Sequence, residues 1–164
     1  MSMIFSFIFR MFCAIMGKTD FRRMNLLRIM GIDCGDARTG VAVSDLLCSI
    51  VGSATVVPSR NREKAIADIA KLCLEQEVTQ IVVGLPRNMD GSEGFKAQSC
   101  REFAQQIHEA TGLPVDMWDE RLTTVQSHNI LSAHNYHGQK RKNTVDAVAA
   151  SLILEGYLDH RNRK

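Results

Sequence analysis

Apolar residues occur in short runs over the first half of the chain and at spacings of three to four residues in several longer segments. Short apolar runs bounded by turn residues indicate buried strands, whereas the longer spacing indicates amphipathic helices. The pattern predicts strands at residues 28–34, 40–44, 53–57, 80–84 and 115–118. It predicts helices at residues 62–76, 95–111 and 123–133, and a final helix that begins at Asn143 or Thr144.

The order of these elements predicts the fold class. Three closely spaced strands joined by glycine-containing turns favour an antiparallel meander, and the later strands alternate with helices. The order β-β-β-α-β-α-β-α-α is typical of an α/β fold with a mixed five-stranded sheet and helices on both faces. This is the ribonuclease-H-like arrangement.

The N-terminal segment differs from the rest of the chain. With 164 residues and 45% hydrophobic content, the chain suits one domain with a proper core. Residues 1–23 are apolar apart from a few charges, but no cation precedes the first apolar run and no clear cleavage site follows, as a signal peptide would require. We expect residues 1–23 to be an extension outside the fold and residues 24–164 to form the domain, with Met24 as the native start. A membrane-surface anchor is the alternative.

Charge and cysteine content restrict the classes of function. The formal net charge is +2, but the basic excess lies before residue 29 and residues 29–164 carry a small net negative charge, so the domain is not globally basic. Any contact with nucleic acid must therefore come from a local patch. Five cysteines without a Cys-x-x-Cys pair indicate neither a zinc site nor a disulfide framework. We expect free thiols in a reducing compartment, the cytoplasm.

Three acidic residues flank predicted buried elements. Asp33 ends a strand, Glu120 follows another, and Asp146 opens the predicted last helix. Each has an ordinary explanation: a solvated turn, a surface ion pair or a carboxylate at a helix N-terminus. Converging carboxylates repel one another unless a cation lies between them. Together they predict a catalytic Mg²⁺ or Mn²⁺ site of the kind that cleaves phosphodiesters.

Basic residues surround these carboxylates in the sequence. Lys140, Arg141 and Lys142 lie in a polar segment, residues 135–142, that we expect to be a loop. Arg38, Arg87 and Arg121 lie in turns close to the acidic residues, and Arg121 has either a carboxylate or a phosphate as its expected partner. We predict that these six cations contact a nucleic-acid backbone. Ser92 is the expected N-cap of the second helix, and Asp90 and Asp119 remain open as a fourth carboxylate.

Four segments together resemble one known family. They are GIDCGDARTGVAVSD (31–45), VVGLPRNMDGSEG (82–94), DERLTT (119–124) and VDAVAASLILEGYLD (145–159). In this order and spacing they resemble the YqgF family, also called RuvX, which comprises proteins similar to Holliday junction resolvases and considered to be nucleases of precursor 16S ribosomal RNA. The resemblance implies a ribonuclease-H-like fold, a cytoplasmic nuclease that matures the 5′ end of this RNA, and catalytic roles for Asp33, Glu120 and Asp146.

The expected mechanism is two-metal hydrolysis, with Asp33 bridging both ions and Glu120 and Asp146 each holding one. Precursor ribosomal RNA is the expected partner, and ribosomal particles are a further candidate. We expect no integral membrane association and either a monomer or a homodimer. A Holliday junction resolvase and a non-catalytic RNA-binding assembly factor are alternatives. An ATPase with an Asp-x-Gly phosphate turn would need a second domain. RNA versus DNA preference and internal versus terminal cleavage remain open.

Overall fold

The structure is a computed structural model that describes residues 27–122 and 139–163, with the backbone alone for Leu122 and residues 139–144. Five strands form one sheet. They are β1 (Ile29–Asp33), β2 (Arg38–Ser44), β3 (Val51–Pro58), β4 (Gln80–Leu85) and β5 (Val115–Asp119). The helices are α1 (Arg62–Glu75), α2 (Phe95–Thr111) and α3 (Gln139–Asn162), and a single 3-10 turn, Glu120–Leu122, follows β5.

The sheet is mixed, with strand order β3-β2-β1-β4-β5. Strands β1, β2 and β3 form the antiparallel meander, and β4 and β5 add to it in parallel with β1. Because β1, β4 and β5 run in the same direction, their carboxyl ends meet at one edge of the sheet. We call this edge the carboxyl edge.

Each face of the sheet carries its own hydrophobic core. Met30 and Ile32 of β1 pack with α1 and α2 on one face, whereas Ile29 packs with α3 on the other. Side chains alternate along a strand, so β1 supplies both cores. The predicted mixed five-stranded sheet with helices on both faces is therefore confirmed. Within the described part of the chain, no helix is long and apolar enough to cross a membrane.

The caps of helix α2 correct one prediction. Gly112 ends α2 in the left-handed conformation at φ 68°, which only glycine adopts without strain. Ser92 was the expected N-cap of α2, but that prediction was wrong, because Gly94 occupies the N-cap position. The backbone N–H and the hydroxyl of Ser92 instead donate to Asp90 Oδ1 in the preceding turn.

The start of α3 also differs from the prediction. The helix begins at Gln139, so Lys140, Arg141 and Lys142 lie in its first turn rather than in a loop. A run of lysine, arginine and glutamine looks like a solvated loop, but these residues all have high helix propensity. As a consequence, Asp146 lies about two turns inside α3 and does not open it. The predicted helix at residues 123–133 and the N-terminal extension lie outside the described residues.

Candidate active site

The backbone brings Asp33, Glu120 and Asp146 to one face of the sheet at the carboxyl edge. Asp33 is the last residue of β1 and alternates onto the face that α3 covers. Glu120 comes two residues after Trp118, which packs against α3 on the same face. Its Oε1 atom lies 2.6 Å from the position that a Cβ on Gly84 would take, so the side chain lies over β4. Asp146 belongs to α3 itself.

Glycines allow this close approach. A Cβ atom on Gly40 would lie 2.0 Å from the backbone carbonyl oxygen of Asp146, so the backbone of α3 passes directly over β2. Gly40 is paired with Asp33 in the register of β1 and β2. The absence of a side chain at Gly40 therefore brings Asp146 over the strand next to the one that carries Asp33.

Burial raises the pKa of two of these carboxyl groups. For Asp33 burial is the largest cause, the charge of Asp146 raises the pKa further, and the ammonium of Lys96 opposes both. For Glu120 burial is again the largest cause, with Asp33 adding to the rise and Lys96 opposing it. Asp33 therefore interacts with both other carboxylates, and its charge is not fully compensated. Such a group gains from a bound cation.

Asp146 has a protein partner in this structure. Arg38 Nε donates to Asp146 Oδ2 at 2.6 Å, across the gap between β2 and α3. As the described side chains are placed, no three acidic, histidine or cysteine groups lie close enough together to hold a metal ion. The three carboxylates offer only oxygen donors, which suit Mg²⁺ or Mn²⁺. The fit requires that the carboxylate of Asp146 turn from Arg38 towards Asp33.

A second acidic group lies on the opposite face of the sheet. Arg121 binds Asp119 through Nε, at 3.0 Å from Oδ1, and through a terminal nitrogen, at 2.7 Å from Oδ2. Arg87 lies 3.7 Å from the same carboxylate and 2.9 Å from Glu93. Of the two expected partners of Arg121, the structure shows the carboxylate, and this hydrogen bond lowers the pKa of Asp119. Asp119 is thus bound by arginines, although its charge still adds to the raised pKa of the neighbouring Glu120.

Lys96 is the residue that our reading of the sequence missed. It lies in the first turn of α2 and is exposed, and its charge acts on both Asp33 and Glu120. A signal was present, because α2 follows β4 and must therefore begin near the carboxyl edge. A cation in its first turn lies close to any carboxylates there.

Asp33→Asn should stabilise the protein at neutral pH. An asparagine has no charge to desolvate, so we expect the free energy of unfolding in the presence of a chelator to rise by about 1 kcal/mol. Because the pKa of Asp33 is raised in the folded state, wild type is penalised only where this group is ionised. The gain should therefore vanish below the ordinary carboxyl pKa of 3.8 and grow as the pH rises. Urea denaturation across pH checks this, and a gain independent of pH contradicts it.

The mixed five-stranded sheet with helices on both faces is the ribonuclease-H-like fold, and two solved resolvases share it. T. thermophilus RuvC, solved in complex with a Holliday junction substrate, matches with a TM-score of 0.54 and 13% identity, over 82% of this chain and 96% of that chain. The fowlpox virus Holliday junction resolvase matches with a TM-score of 0.50 and 14% identity, over 82% of this chain and 99% of that chain. At this identity the similarity shows the fold.

The sequence model of the family described as RuvX, Holliday junction resolvase, matches residues 27–160, and the chain belongs to this family. A relative from Halothermothrix orenii is 42% identical over 84% of this chain and 98% of its own length. Another from Clostridium beijerinckii is 44% identical over 84% of this chain and its full length. Both are provisionally named pre-16S rRNA nuclease. The resemblance found in the four segments is thereby confirmed.

Proposed function

We propose that this protein is a metal-dependent nuclease that hydrolyses phosphodiester bonds and acts in the maturation of the 5′ end of pre-16S ribosomal RNA in the cytoplasm. The observation that carries the proposal is the placement of Asp33, Glu120 and Asp146 on one face of the sheet at the carboxyl edge. Family membership and the names of the relatives support the nuclease activity and the RNA substrate. In this proposal, residues 24–164 form the functional domain.

Asp33, Glu120 and Asp146 would together hold Mg²⁺ or Mn²⁺. When bound, divalent metal activates water as the nucleophile and stabilises the charge on the leaving oxygen. Asp33 occupies the central position, because it interacts with both other carboxylates. Its backbone is held in β1, which pairs on both sides within the sheet, so this ligand is rigid. The positive charge of Lys96 offsets part of the negative charge of the carboxylates, which would reduce their repulsion of a negatively charged substrate.

Arg38 has a double role in this proposal. In the structure its guanidinium binds Asp146. If Asp146 held a metal ion, its carboxylate would no longer accept from Arg38, and the guanidinium of Arg38 would be free at the carboxyl edge to bind a phosphate of the substrate. Arginine binds phosphate and carboxylate with the same hydrogen-bond donors, so the guanidinium of Arg38 can bind a phosphate in place of the carboxylate of Asp146. Arg87, Arg121, Lys140, Arg141 and Lys142 are the other proposed phosphate contacts.

Arg38→Gln should weaken RNA binding and reduce its salt dependence. Loss of one phosphate contact lowers the slope of log Kd against log salt by about 1. Arg163→Gln is the matched control, because Arg163 also pairs with an aspartate of α3, Asp159, but near the other end of the helix. Fluorescence anisotropy at several salt concentrations measures both slopes. A slope that is unchanged in Arg38→Gln contradicts the phosphate contact.

Cleavage of matched substrates tests the proposed function. Wild-type protein is incubated with single-stranded RNA, the same sequence in DNA, a precursor RNA containing the 16S 5′ end, and a four-way DNA junction. Each reaction contains Mg²⁺, Mn²⁺ or a chelator. We expect cleavage of the precursor RNA that stops on chelation. Cleavage of the junction alone would instead establish a resolvase, a function that the family description and the fold similarity favour as second candidate. Binding of RNA without cleavage of any substrate would establish an assembly factor.

A further inference from the structure

A pocket of about 390 Å³ lies between the end of β1 and the N-terminal parts of α1 and α2. Cys34 and Gly35 form part of its wall, and they follow Asp33 directly in the chain. The pocket lies on the face that α1 and α2 cover, whereas the three carboxylates lie on the α3 face. Both open at the carboxyl edge, and Lys96 connects them, because it lines the pocket and its charge acts on Asp33 and Glu120.

The inner wall of the pocket carries a hydroxyl group that lacks a partner. Thr39 of β2 lines the pocket, yet only 1% of the residue is exposed to solvent. Among the described residues, its Oγ1 atom has no hydrogen-bond partner. Buried hydroxyl groups in proteins are nearly always hydrogen-bonded, so an unpaired one needs an explanation. A polar atom of a ligand in the pocket would supply the missing hydrogen bond.

The rim of the pocket combines cations with an aromatic ring. Arg62 is already engaged, because it donates to the backbone oxygen of Ser99 and to Gln106. Arg60 and Lys96 are exposed and form no salt bridge within the described part of the chain. Phe95 is 88% exposed at the first position of α2, an unusual place for a large apolar side chain. Exposed aromatic rings beside cations are typical of sites for single-stranded nucleic acid.

We propose that this pocket binds one unpaired nucleotide of the substrate strand, next to the bond that is cleaved. The base stacks on Phe95 and reaches inward to the hydroxyl of Thr39, and the adjoining phosphate lies between Arg60 and Lys96. The assignment rests on the proposed nuclease function and adds to it a preference for a single-stranded segment. Stacking accepts any base, so the pocket selects unpaired structure more than sequence.

Binding of a single-stranded oligonucleotide tests the pocket without any cleavage. The probe is a single-stranded RNA with 2-aminopurine placed at successive positions, in chelator so that it stays intact. With the full-length wild-type protein we expect fluorescence quenching at one position. Phe95→Ala should remove this quenching and weaken binding about tenfold. Leu47→Ala is the matched control, because Leu47 is an apolar residue with 72% exposure in the turn after β2, at the opposite edge of the sheet. It should bind like wild type.

An abasic nucleotide at the quenched position gives a second readout. We expect wild type to bind the abasic oligonucleotide more weakly than the intact one. Wild type and Phe95→Ala should bind the abasic oligonucleotide equally, because the base that Phe95 contacts is absent. Thr39→Val keeps the shape of the side chain and should weaken binding of the intact oligonucleotide only. Equal binding of the intact probe by wild type and Phe95→Ala overturns the pocket assignment. Cleavage by wild type, measured separately, decides the nuclease function, so either proposal can fail alone.

Discussion

Asp33→Asn should lower the rate of phosphodiester cleavage by about 1000-fold or more, since the metal supplies most of the stabilisation of the transition state. Asp33 has the largest expected effect because its charge acts on both other carboxylates and its backbone lies in the central strand of the sheet. Asparagine keeps the size and shape of the side chain but removes the charge that binds the cation. Initial rates at saturating Mg²⁺ measure the loss.

The control for this variant is Asp159→Asn. Asp159 lies in α3, its side chain is 70% exposed, and its partner is Arg163 in the next turn. We expect Asp159→Asn to cleave at the wild-type rate, since exposed ion pairs of this kind contribute little to stability. The Asp33 variant should instead combine lost activity with unchanged or greater stability, a combination that misfolding cannot produce. Cleavage by Asp33→Asn at the wild-type rate would remove Asp33 from the site.

Gly40→Ala should destabilise the protein by about 3 kcal/mol. The added Cβ would lie 2.0 Å from the carbonyl oxygen of Asp146, 2.8 Å from its carbonyl carbon and 3.2 Å from the Cβ of Ala150. The first two contacts are with backbone atoms, so no change of rotamer relieves them. The helix α3 must move away from β2, which opens the core beneath it and displaces Asp146. Urea denaturation measures the loss, and cleavage should fall with it.

Gly52→Ala is the matched control for this substitution. Gly52 lies in the neighbouring strand β3, is exposed, and a Cβ there would have no neighbour closer than 3.4 Å, an ordinary contact distance. We expect its free energy of unfolding to stay within about 0.5 kcal/mol of wild type. If Gly40→Ala proves as stable as Gly52→Ala, α3 does not lie on β2 as described.

The sequence was sufficient for the sheet and for the place of Asp33 and Glu120 at its carboxyl edge, but not for the place of Asp146 within α3. The runs that became β1 and β4 are apolar and bounded by turn residues, and β5 mixes apolar residues with Asp116, so the order of the three strands was visible. Asp33 and Glu120 follow such runs directly, and parallel strands place them at the same edge. The start of α3 was not visible, because its first turn is polar and cationic and carries no apolar residue that marks a helix.

The pair between Arg38 and Asp146 could not be read from the sequence. The two residues are 108 positions apart, and their contact depends on how closely α3 approaches β2. That approach is possible because Gly40 has no side chain. In the sequence, however, a glycine at this position is equally consistent with an ordinary turn before a strand. The effect of Lys96 on Asp33 was hidden for the same reason. The two residues are far apart in the chain and become neighbours only when β1 and α2 meet at the carboxyl edge.

The most direct test of the central claim is single-turnover cleavage of an RNA that contains the 5′ end of precursor 16S ribosomal RNA. Wild type, Asp146→Asn and Asp159→Asn are compared in Mg²⁺ and in chelator. The two variants change the same residue type in the same helix, 13 positions apart, or about 20 Å. We predict metal-dependent cleavage by wild type and Asp159→Asn and none by Asp146→Asn. Equal cleavage by all three proteins, or cleavage that persists in chelator, would contradict a metal site built from these carboxylates.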